Sequence, residues 1–179
     1  MRVIGGEARG RPLVAPVIAG LRPTSDRVRE AIFDILQARE LVEGFSVLDL
    51  FCGSGALGIE ALSRGARSCS FVDKEGRALE AVRANLERTG LASRVTELVR
   101  SDASAYLAGT RAHDLSLVDP PYSFEGWPEL LERLSSRVAV LEHRAAVQIP
   151  EKWQTIRSYR YGGTLVTLLS QQVRDEDTV

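Results

Sequence analysis

From Val47 onward, short apolar segments of the chain alternate with longer segments whose apolar residues recur every three or four positions. The short runs predict buried strands and the longer pattern predicts helices, so the alternation favours βαβ units and a parallel sheet covered on both faces. The predicted strands are Val47–Phe51, Ser70–Asp73, Val95–Val99, Leu115–Asp119 and Ala145–Ile149. The predicted helices between them are Leu57–Ser63, Gly76–Arg88, Ala103–Leu107 and Trp127–Leu134.

The last part of the chain breaks this alternation with a hairpin signal. Segments Ile156–Tyr161 and Thr164–Leu169 are separated only by Gly162-Gly163. A two-residue glycine loop between apolar segments is typical of a β-hairpin. We therefore expect two further strands, antiparallel to each other, which bring the sheet to seven.

The N-terminal part predicts an arm and one helix. Glycine and proline divide residues 2–18 into short apolar runs, which indicates a β-hairpin or an extended arm. Ser25–Leu36 is expected to be an amphipathic helix with Thr24 or Ser25 as its N-cap. Arg27 and Arg29 fall off its apolar stripe and are expected to face solvent, ligand or RNA. The predicted stripe is Val28, Ile32, Ile35 and Leu36.

Length and composition favour one main domain with a small extension. With 179 residues, 44% of them hydrophobic, we expect residues 1–40 to form an N-terminal extension made of the arm and the helix. Residues 41–173 are expected to form the main domain, followed by a flexible tail at 174–179. We see neither a signal peptide nor a membrane-spanning apolar run, so we expect a cytoplasmic protein. Cys52 and Cys69 lack metal-ligand spacing and are expected to be free thiols, with no metal site.

Charge is distributed unevenly along a chain of net charge -1. Six arginines against two acidic residues give residues 1–29 a local charge of +4, and the remainder is acidic. A basic segment on an acidic body indicates a partner such as the phosphate backbone of a nucleic acid, although a solvated basic surface has the same composition. The six arginines are Arg2, Arg9, Arg11, Arg22, Arg27 and Arg29.

A glycine-rich turn follows the first predicted strand in Val47-Leu48-Asp49-Leu50-Phe51-Cys52-Gly53-Ser54-Gly55. Glycines permit a ligand to approach the backbone closely at such a strand-turn-helix unit. Gly53, Gly55 and Gly58 also satisfy the dinucleotide spacing, so an oxidoreductase stays open as an alternative. Asp49 argues against that alternative, since a carboxylate there would repel a pyrophosphate but suits a positively charged ligand.

Two further acids follow predicted strands. Asp73 lies about 20 residues beyond the glycine turn, where a carboxylate can accept both hydroxyls of a ribose. Asp102 follows the third strand and either contacts the ligand or caps a helix. Because open α/β sheets bind ligands at the carboxyl ends of their strands, these acids together predict a nucleoside site.

Asp119-Pro120-Pro121-Tyr122 directly follows the fourth predicted strand. The two prolines stiffen the loop and remove backbone donors, so the loop presents only acceptors and is suited to an amino group. We expect Asp119 and the Pro120 carbonyl to hold an exocyclic base amine in line for attack, and Tyr122 to stack on an extruded base. A structural proline turn is the alternative for the motif in isolation.

These motifs resemble the class I S-adenosylmethionine-dependent methyltransferases, and Asp119–Tyr122 resembles motif IV of enzymes that methylate adenine N6, guanine N2 or cytosine N4. The resemblance implies a Rossmann-like α/β fold with a mostly parallel seven-stranded sheet, an antiparallel C-terminal strand, and S-adenosyl-L-methionine as cofactor. The cofactor-binding residues that it implies are Thr24, Arg27, Asp49, Phe51, Cys52, Gly53, Ser54, Gly55, Asp73, Lys74, Asp102, Ala103 and Asp119.

Ile4–Arg11, Arg22–Glu30 and Val47–Leu62, with Tyr161–Thr164, are similar to the bacterial 16S rRNA guanine-N2 methyltransferase family, RsmD. The resemblance implies a monomer that methylates 16S rRNA, in naked RNA or in the small subunit, and forms N2-methylguanosine. Two departures from the family are Gln148-Ile149-Pro150, where the fifth strand usually ends in an acid, and Gly162-Gly163 in the hairpin. The arginines implied to bind RNA are Arg2, Arg9, Arg11, Arg22 and Arg29.

Two further functions remain open at this point, in addition to the oxidoreductase. The Asp119–Tyr122 loop is expected to recognise an amino group and not the rest of the base. An N6-adenine methyltransferase acting on DNA or RNA is therefore the main alternative. The absence of a separate target-recognition domain in the sequence disfavours DNA and favours recognition of RNA shape. A non-catalytic RNA-binding protein would have the same charge pattern.

Overall fold

The computed structural model describes residues 1–16, 24–109 and 111–172, which form one seven-stranded sheet with helices on both faces. The strands are β1 (Ser46–Leu50), β2 (Ser68–Asp73), β3 (Val95–Arg100), β4 (His113–Val118), β5 (Ser136–His143), β6 (Trp153–Tyr161) and β7 (Thr164–Gln171). The helices are α1 (Asp26–Gln37), α2 (Ala56–Ser63), α3 (Gly76–Thr89), α4 (Ala103–Leu107) and α5 (Trp127–Arg133), with a 3₁₀ turn at Ala92–Arg94. Within these ranges no helix combines the length and apolarity that crossing a bilayer requires.

The strand order is β3-β2-β1-β4-β5-β7-β6. Strands β1 to β5 are parallel to one another, while β7 is antiparallel to both β5 and β6. The predicted sheet of seven mostly parallel strands with an antiparallel C-terminal strand is therefore confirmed. The order reverses between β1 and β4, and this switch point is where an open α/β sheet forms a ligand-binding crevice.

The predicted fifth strand, Ala145–Ile149, is wrong. The structure places β5 earlier, at Ser136–His143, where it pairs with β4 on one side and β7 on the other. Charged residues such as Arg137 and Glu142 interrupt the apolar pattern of this segment, whereas the later segment reads as a cleaner apolar run. Ser136–His143 is a strand because it lies between β4 and β7 and is buried there. That burial results from tertiary pairing, which the local sequence pattern does not contain.

Apolar side chains fill both faces of the sheet. One cluster joins the sheet to α1, α2, α3 and the N-terminal arm, with Phe33, Leu62 and Val82 fully buried in it. A second cluster on the other face joins the sheet to α4 and α5 through Ala103 and Leu131. Because helices cover both faces, the ligand crevice is left at the carboxyl edge of the strands.

Residues 1–16 form a short hairpin that packs onto α2. The Val3 amide donates to the Arg11 carbonyl at 3.0 Å, and Val3 and Leu13 are buried in the common core. Gly6 adopts a φ of 76°, and a Cβ built there would lie 1.8 Å from the Ser63 carbonyl oxygen, so only glycine fits this close approach. The predicted residues 17 and 18 of the arm, Arg22 and the tail at 174–179 lie outside the described residues.

Helix α1 begins as predicted, with the Ser25 hydroxyl accepting from the Val28 amide at 3.3 Å. The expectation that Arg29 faces solvent, ligand or RNA is wrong, because its side chain is fully buried. Arg29 pairs with Asp26 at 2.9 Å and donates to the Arg2 carbonyl. A helical pattern predicts only which face of an isolated helix is apolar. Here the N-terminal arm packs on the polar face of α1 that carries Arg29 and buries it.

Candidate active site

Three acidic side chains lie at the carboxyl ends of neighbouring central strands. Asp49 is in β1, Asp119 directly follows β4, and Glu142 is in β5. The register pairs Val118 with Leu141, so Asp119 and Glu142 follow two paired residues on adjacent strands. Neighbouring strands lie about 4.8 Å apart, which brings these carboxylates into electrostatic contact.

Asp119 is held by the residue that precedes the cap of α1. The Thr24 hydroxyl donates to Asp119 Oδ2 at 2.6 Å, so the start of α1 lies over the end of β4. Burial raises the pKa of Asp119 to about 6, and the Thr24 hydrogen bond opposes the rise. The structure thus brings together Asp119, which the sequence predicted to hold the amine, and Thr24, which it predicted to cap α1 or to bind the cofactor.

The prolines and Tyr122 continue from Asp119 into a tight turn. Pro120 is buried, and the Pro121 carbonyl accepts from the Phe124 amide at 2.8 Å. The Tyr122 side chain is 47% exposed, and the Arg144 guanidinium lies over its ring with Cζ 3.5 Å from the ring centroid. Tyr122 is therefore accessible at the surface while one ring face is already covered by a cation.

Glu142 is a candidate site residue that our sequence analysis missed. It is only 7% exposed, and among the described residues its Oε2 has no hydrogen-bond partner. Burial raises its pKa to about 8, and the charge of Asp119 adds to the rise, while Thr24 and Arg144 oppose it. The sequence analysis expected Gln148–Pro150 to replace the acid that the family usually has at the end of the fifth strand. That expectation is wrong, because β5 ends at His143 and Glu142 is the acid near its end. The misplaced strand end concealed this signal.

The glycine turn between β1 and α2 has the strained geometry expected of a close approach. Phe51 has a φ of 63° and Gly55, at the start of α2, has a φ of 74°. The Gly53 amide donates to Asp73 Oδ2 at 2.9 Å, and the Glu75 amide donates to Asp73 Oδ1 at 2.9 Å. Asp73 thereby joins the end of β2 to the turn, and each of its oxygens retains a free lone pair for a ligand.

Asp49 in β1 stabilises the glycine turn through a hydrogen bond to the start of α2. Its side chain is fully buried, and Oδ2 accepts from the Gly58 amide at 2.8 Å. Burial raises its pKa above the ordinary value, and the charges of Asp119 and Asp73 add to the rise. A Cβ at Gly58 would lie 2.4 Å from Phe71, so α2 sits tightly against the sheet and fixes this hydrogen bond.

The remaining predicted cofactor residues surround this edge in different ways. Asp102 is exposed and caps α4, because its Oδ1 accepts from the Ser104 amide at 2.8 Å. Asp102 is therefore a helix cap, as one of the two sequence alternatives predicted, and its other carboxylate oxygen is not used by the cap. Lys74 and Arg27 are exposed. Small or apolar members of the predicted set are buried in the turn or beside it: Cys52, Ser54 and Ala103.

A groove of 310 Å³ separates the N-terminal arm from α1. Three arginines line it, Arg2 and Arg9 from the arm and Arg27 from α1, together with the acids Asp26 and Glu30. Arg11 is exposed on the same arm. The groove brings together basic residues that are distant in sequence, and it is distinct from the acidic edge of the sheet.

Seven strands in this order, a glycine turn after β1 and Asp-Pro-Pro-Tyr after β4 define a class I methyltransferase, a class whose methyl donor is S-adenosylmethionine. The chain belongs to the RsmD-like family, because the family model described as Conserved hypothetical protein 95 matches residues 1–170. The family resemblance seen in the sequence is thereby confirmed.

Individual relatives agree with this assignment. Ribosomal RNA small subunit methyltransferase D of Escherichia coli (strain K12) is 43% identical over 124 residues, which cover 68% of this chain and 60% of that protein. YlbH of Bacillus subtilis (strain 168), named as a candidate rRNA methyltransferase, is 36% identical over 162 residues, which cover 84% of this chain and 86% of the relative. The solved structure of yhhF, a candidate methyltransferase from Escherichia coli, is 31% identical with a TM-score of 0.84, and the match covers 97% of this chain and 99% of that chain.

Proposed function

We propose that this chain methylates the N2 amino group of a guanine in 16S rRNA, in the cytoplasm and in the assembling small subunit. The observation that carries the proposal is the Asp119 carboxylate, which is fixed by Thr24 and by two prolines at the carboxyl edge of β4. The small-subunit rRNA substrate is supported by the name of the Escherichia coli relative. The arm and helix of residues 1–40 are proposed as the RNA-binding extension.

The residues at the switch point fit S-adenosylmethionine by their chemistry. Gly53 and Gly55 carry no side chain that would block the approach of a ligand to the turn, and Asp73 keeps acceptor lone pairs for the ribose hydroxyls. Asp102, exposed at the start of α4, is proposed to accept from the adenine amine, while Asp49 positions the turn through Gly58. When bound, the cofactor supplies an electrophilic methyl group on its sulfonium.

The chain's own contribution to transfer is orientation of a weak nucleophile. The lone pair of an exocyclic amine is delocalised into the ring, so the amine attacks only when its hydrogens are held by acceptors. We assign these acceptors to Asp119 and the Pro120 carbonyl, which a proline-restricted loop holds in place. Tyr122, accessible at the surface, is proposed to stack on the extruded base.

RNA phosphates are proposed to contact Arg2, Arg9 and Arg27 in the groove between the arm and α1, and Arg11 on the exposed side of the arm. Replacing Arg9 and Arg11 together by alanine is expected to weaken RNA binding about 10-fold at physiological salt, because each lost phosphate contact reduces counterion release. The slope of log affinity against log salt should become shallower by about 2. Fluorescence anisotropy over a salt series measures both quantities. The control is Arg160→Ala, on the edge strand β6, and an equal effect of the control would contradict a specific role of the arm.

The proposed reaction is tested by transfer of tritium from labelled cofactor into three substrates. These are naked 16S rRNA, small ribosomal subunits from cells that lack the enzyme, and duplex DNA. We expect N2-methylguanosine in nucleosides digested from the subunits, identified by mass spectrometry, and no label in DNA. N6-methyladenine as the sole product would instead establish the adenine alternative.

A further inference from the structure

The unpartnered Oε2 of Glu142 is not explained by packing or by the mechanism above. Native proteins rarely leave a buried side-chain oxygen without a partner, so such an oxygen calls for an explanation, and a functional role is one of those that account for it. Glu142 is 7% exposed, and the described residues offer no hydrogen bond to this oxygen. Asp119 follows the paired residue on the adjacent strand, so the free oxygen lies beside the proposed amine-binding site.

The chemistry of base edges indicates what this oxygen would bind. The exocyclic amine of adenine and that of cytosine each lie beside a Watson–Crick ring nitrogen that carries a lone pair. The N2 amine of guanine lies instead beside N1–H, which is a donor. Two neighbouring carboxylates therefore match the edge of guanine, and a carboxylate repels the lone pair that adenine or cytosine presents at the same place.

We propose that Glu142 selects guanine by accepting the N1–H of the base whose N2 amine is held at Asp119. The proposal rests on the proposed function and names the residue that determines its base specificity. Arg144, above the Tyr122 ring, lies on the same side of the site and favours the charged form of Glu142. The pair of carboxylates thus reads two adjacent donors on one base.

The charge state of Glu142 makes this selection dependent on pH. The groups that act on it are Asp119 after β4, Thr24 before α1 and Arg144 after β5, and burial with Asp119 raises its pKa to about 8. An ionised carboxylate accepts N1–H of guanine, whereas a protonated carboxyl also offers a donor that suits adenine. The kcat/KM for guanine is therefore expected to rise as the pH increases toward 8, and the guanine preference should rise with it.

The test compares the native chain with Glu142→Gln on small subunits that carry guanine or adenine at the modified position, mapped beforehand from the native product. The glutamine amide presents one acceptor and one donor, which is the pattern that adenine matches. We expect kcat/KM for guanine to fall about 10- to 100-fold and the preference for guanine over adenine to fall at least as much. The rise of kcat/KM with pH toward 8 should disappear, and Glu142→Asp should retain more guanine activity than Glu142→Gln. The control is Glu151→Gln, at an exposed acid in the turn before β6.

Folding and cofactor binding separate selection from a structural role. Because the folded state raises the pKa of Glu142, the native chain binds more protons than the unfolded chain between the ordinary value of 4.5 and about 8, and its stability falls as pH rises through this window. Glu142→Gln lacks this decline, so it should melt at or above the native temperature at pH 8 and bind S-adenosylhomocysteine with unchanged affinity. A lower melting temperature with weaker cofactor binding would overturn the inference.

Two outcomes distinguish the inference from the function on which it rests. If the native chain forms N2-methylguanosine and Glu142→Gln keeps the native kcat/KM, base preference and pH profile, the selection by Glu142 is overturned and the proposed function stands. If the native chain places no label in guanine of either RNA substrate, the proposed function itself fails, and the inference fails with it.

Discussion

Replacement of Asp119 by alanine is expected to reduce the rate of methyl transfer about 1,000-fold, because the amine loses the acceptor that orients it. Asp119 joins the loop after β4 to Thr24 and has no hydrogen bond to the glycine turn among the described contacts. The affinity for S-adenosylhomocysteine should therefore stay within about 2-fold of the native value, since the acids proposed for the nucleoside are elsewhere. Single-turnover transfer from tritiated cofactor and calorimetric titration measure the two quantities separately.

A matched control for Asp119 lies at the other end of the same strand. Asp114 accepts from the Ser46 amide at 2.9 Å near the amino end of β4, and Asp114→Asn should change transfer by less than about 2-fold. Since burial raises the pKa of Asp119 to about 6 and the ionised form is the acceptor, native transfer should also fall as the pH drops through 6. An Asp119→Ala variant with more than a tenth of the native rate would remove the basis of the proposed mechanism.

The position of Asp119 could be predicted from the sequence because the signals that fix it are local. An apolar strand ends at a proline pair, and prolines restrict the backbone whatever surrounds them. The glycine turn after β1 and the acid at the end of β2 follow from the same kind of signal, and both occupy the predicted edge of the sheet. Local signals were therefore sufficient to place these residues at the ends of β1, β2 and β4 without knowledge of their tertiary partners.

The residues and contacts that the sequence did not predict depend on interactions between distant segments. Glu142 was missed because charges within β5 hide a strand that pairing on both sides makes buried. Arg29 was assigned to RNA because nothing in the pattern of α1 shows that the arm covers it. Thr24 was predicted to cap α1 or to bind the cofactor, and its hydrogen bond to Asp119, which spans 95 positions of sequence, was not predicted. In each case a tertiary partner decides the environment, and one sequence does not specify the partner.

Glu60 on α2 connects the arm, α1 and the core through one buried carboxylate. Its oxygens accept from the Ile4 and Gly5 amides at 2.8 Å each, and from Arg64 Nε at 2.8 Å. Arg29 Nε lies 3.6 Å from Oε2, with both side chains fully buried. The carboxylate thereby offsets a buried guanidinium and satisfies two arm amides at once. The stability of the arm is consequently coupled to that of α1.

Glu60→Ala is expected to lower the free energy of unfolding by about 3–5 kcal/mol, since it leaves Arg29 buried with a charge that Asp26 alone opposes and removes the acceptor of two amides. Urea denaturation followed by circular dichroism measures the loss, and hydrogen exchange at Ile4 and Gly5 should show the arm opening first. The comparison variant is Glu80→Ala, at an exposed acid of α3, which should change stability by less than about 0.5 kcal/mol. An unchanged urea midpoint for Glu60→Ala would contradict this prediction. It would mean that the apolar contacts of Val3 and Leu13 are sufficient to keep the arm packed on the core. A folded variant with a loosened arm is in turn expected to lose RNA affinity, because the arm carries Arg2, Arg9 and Arg11.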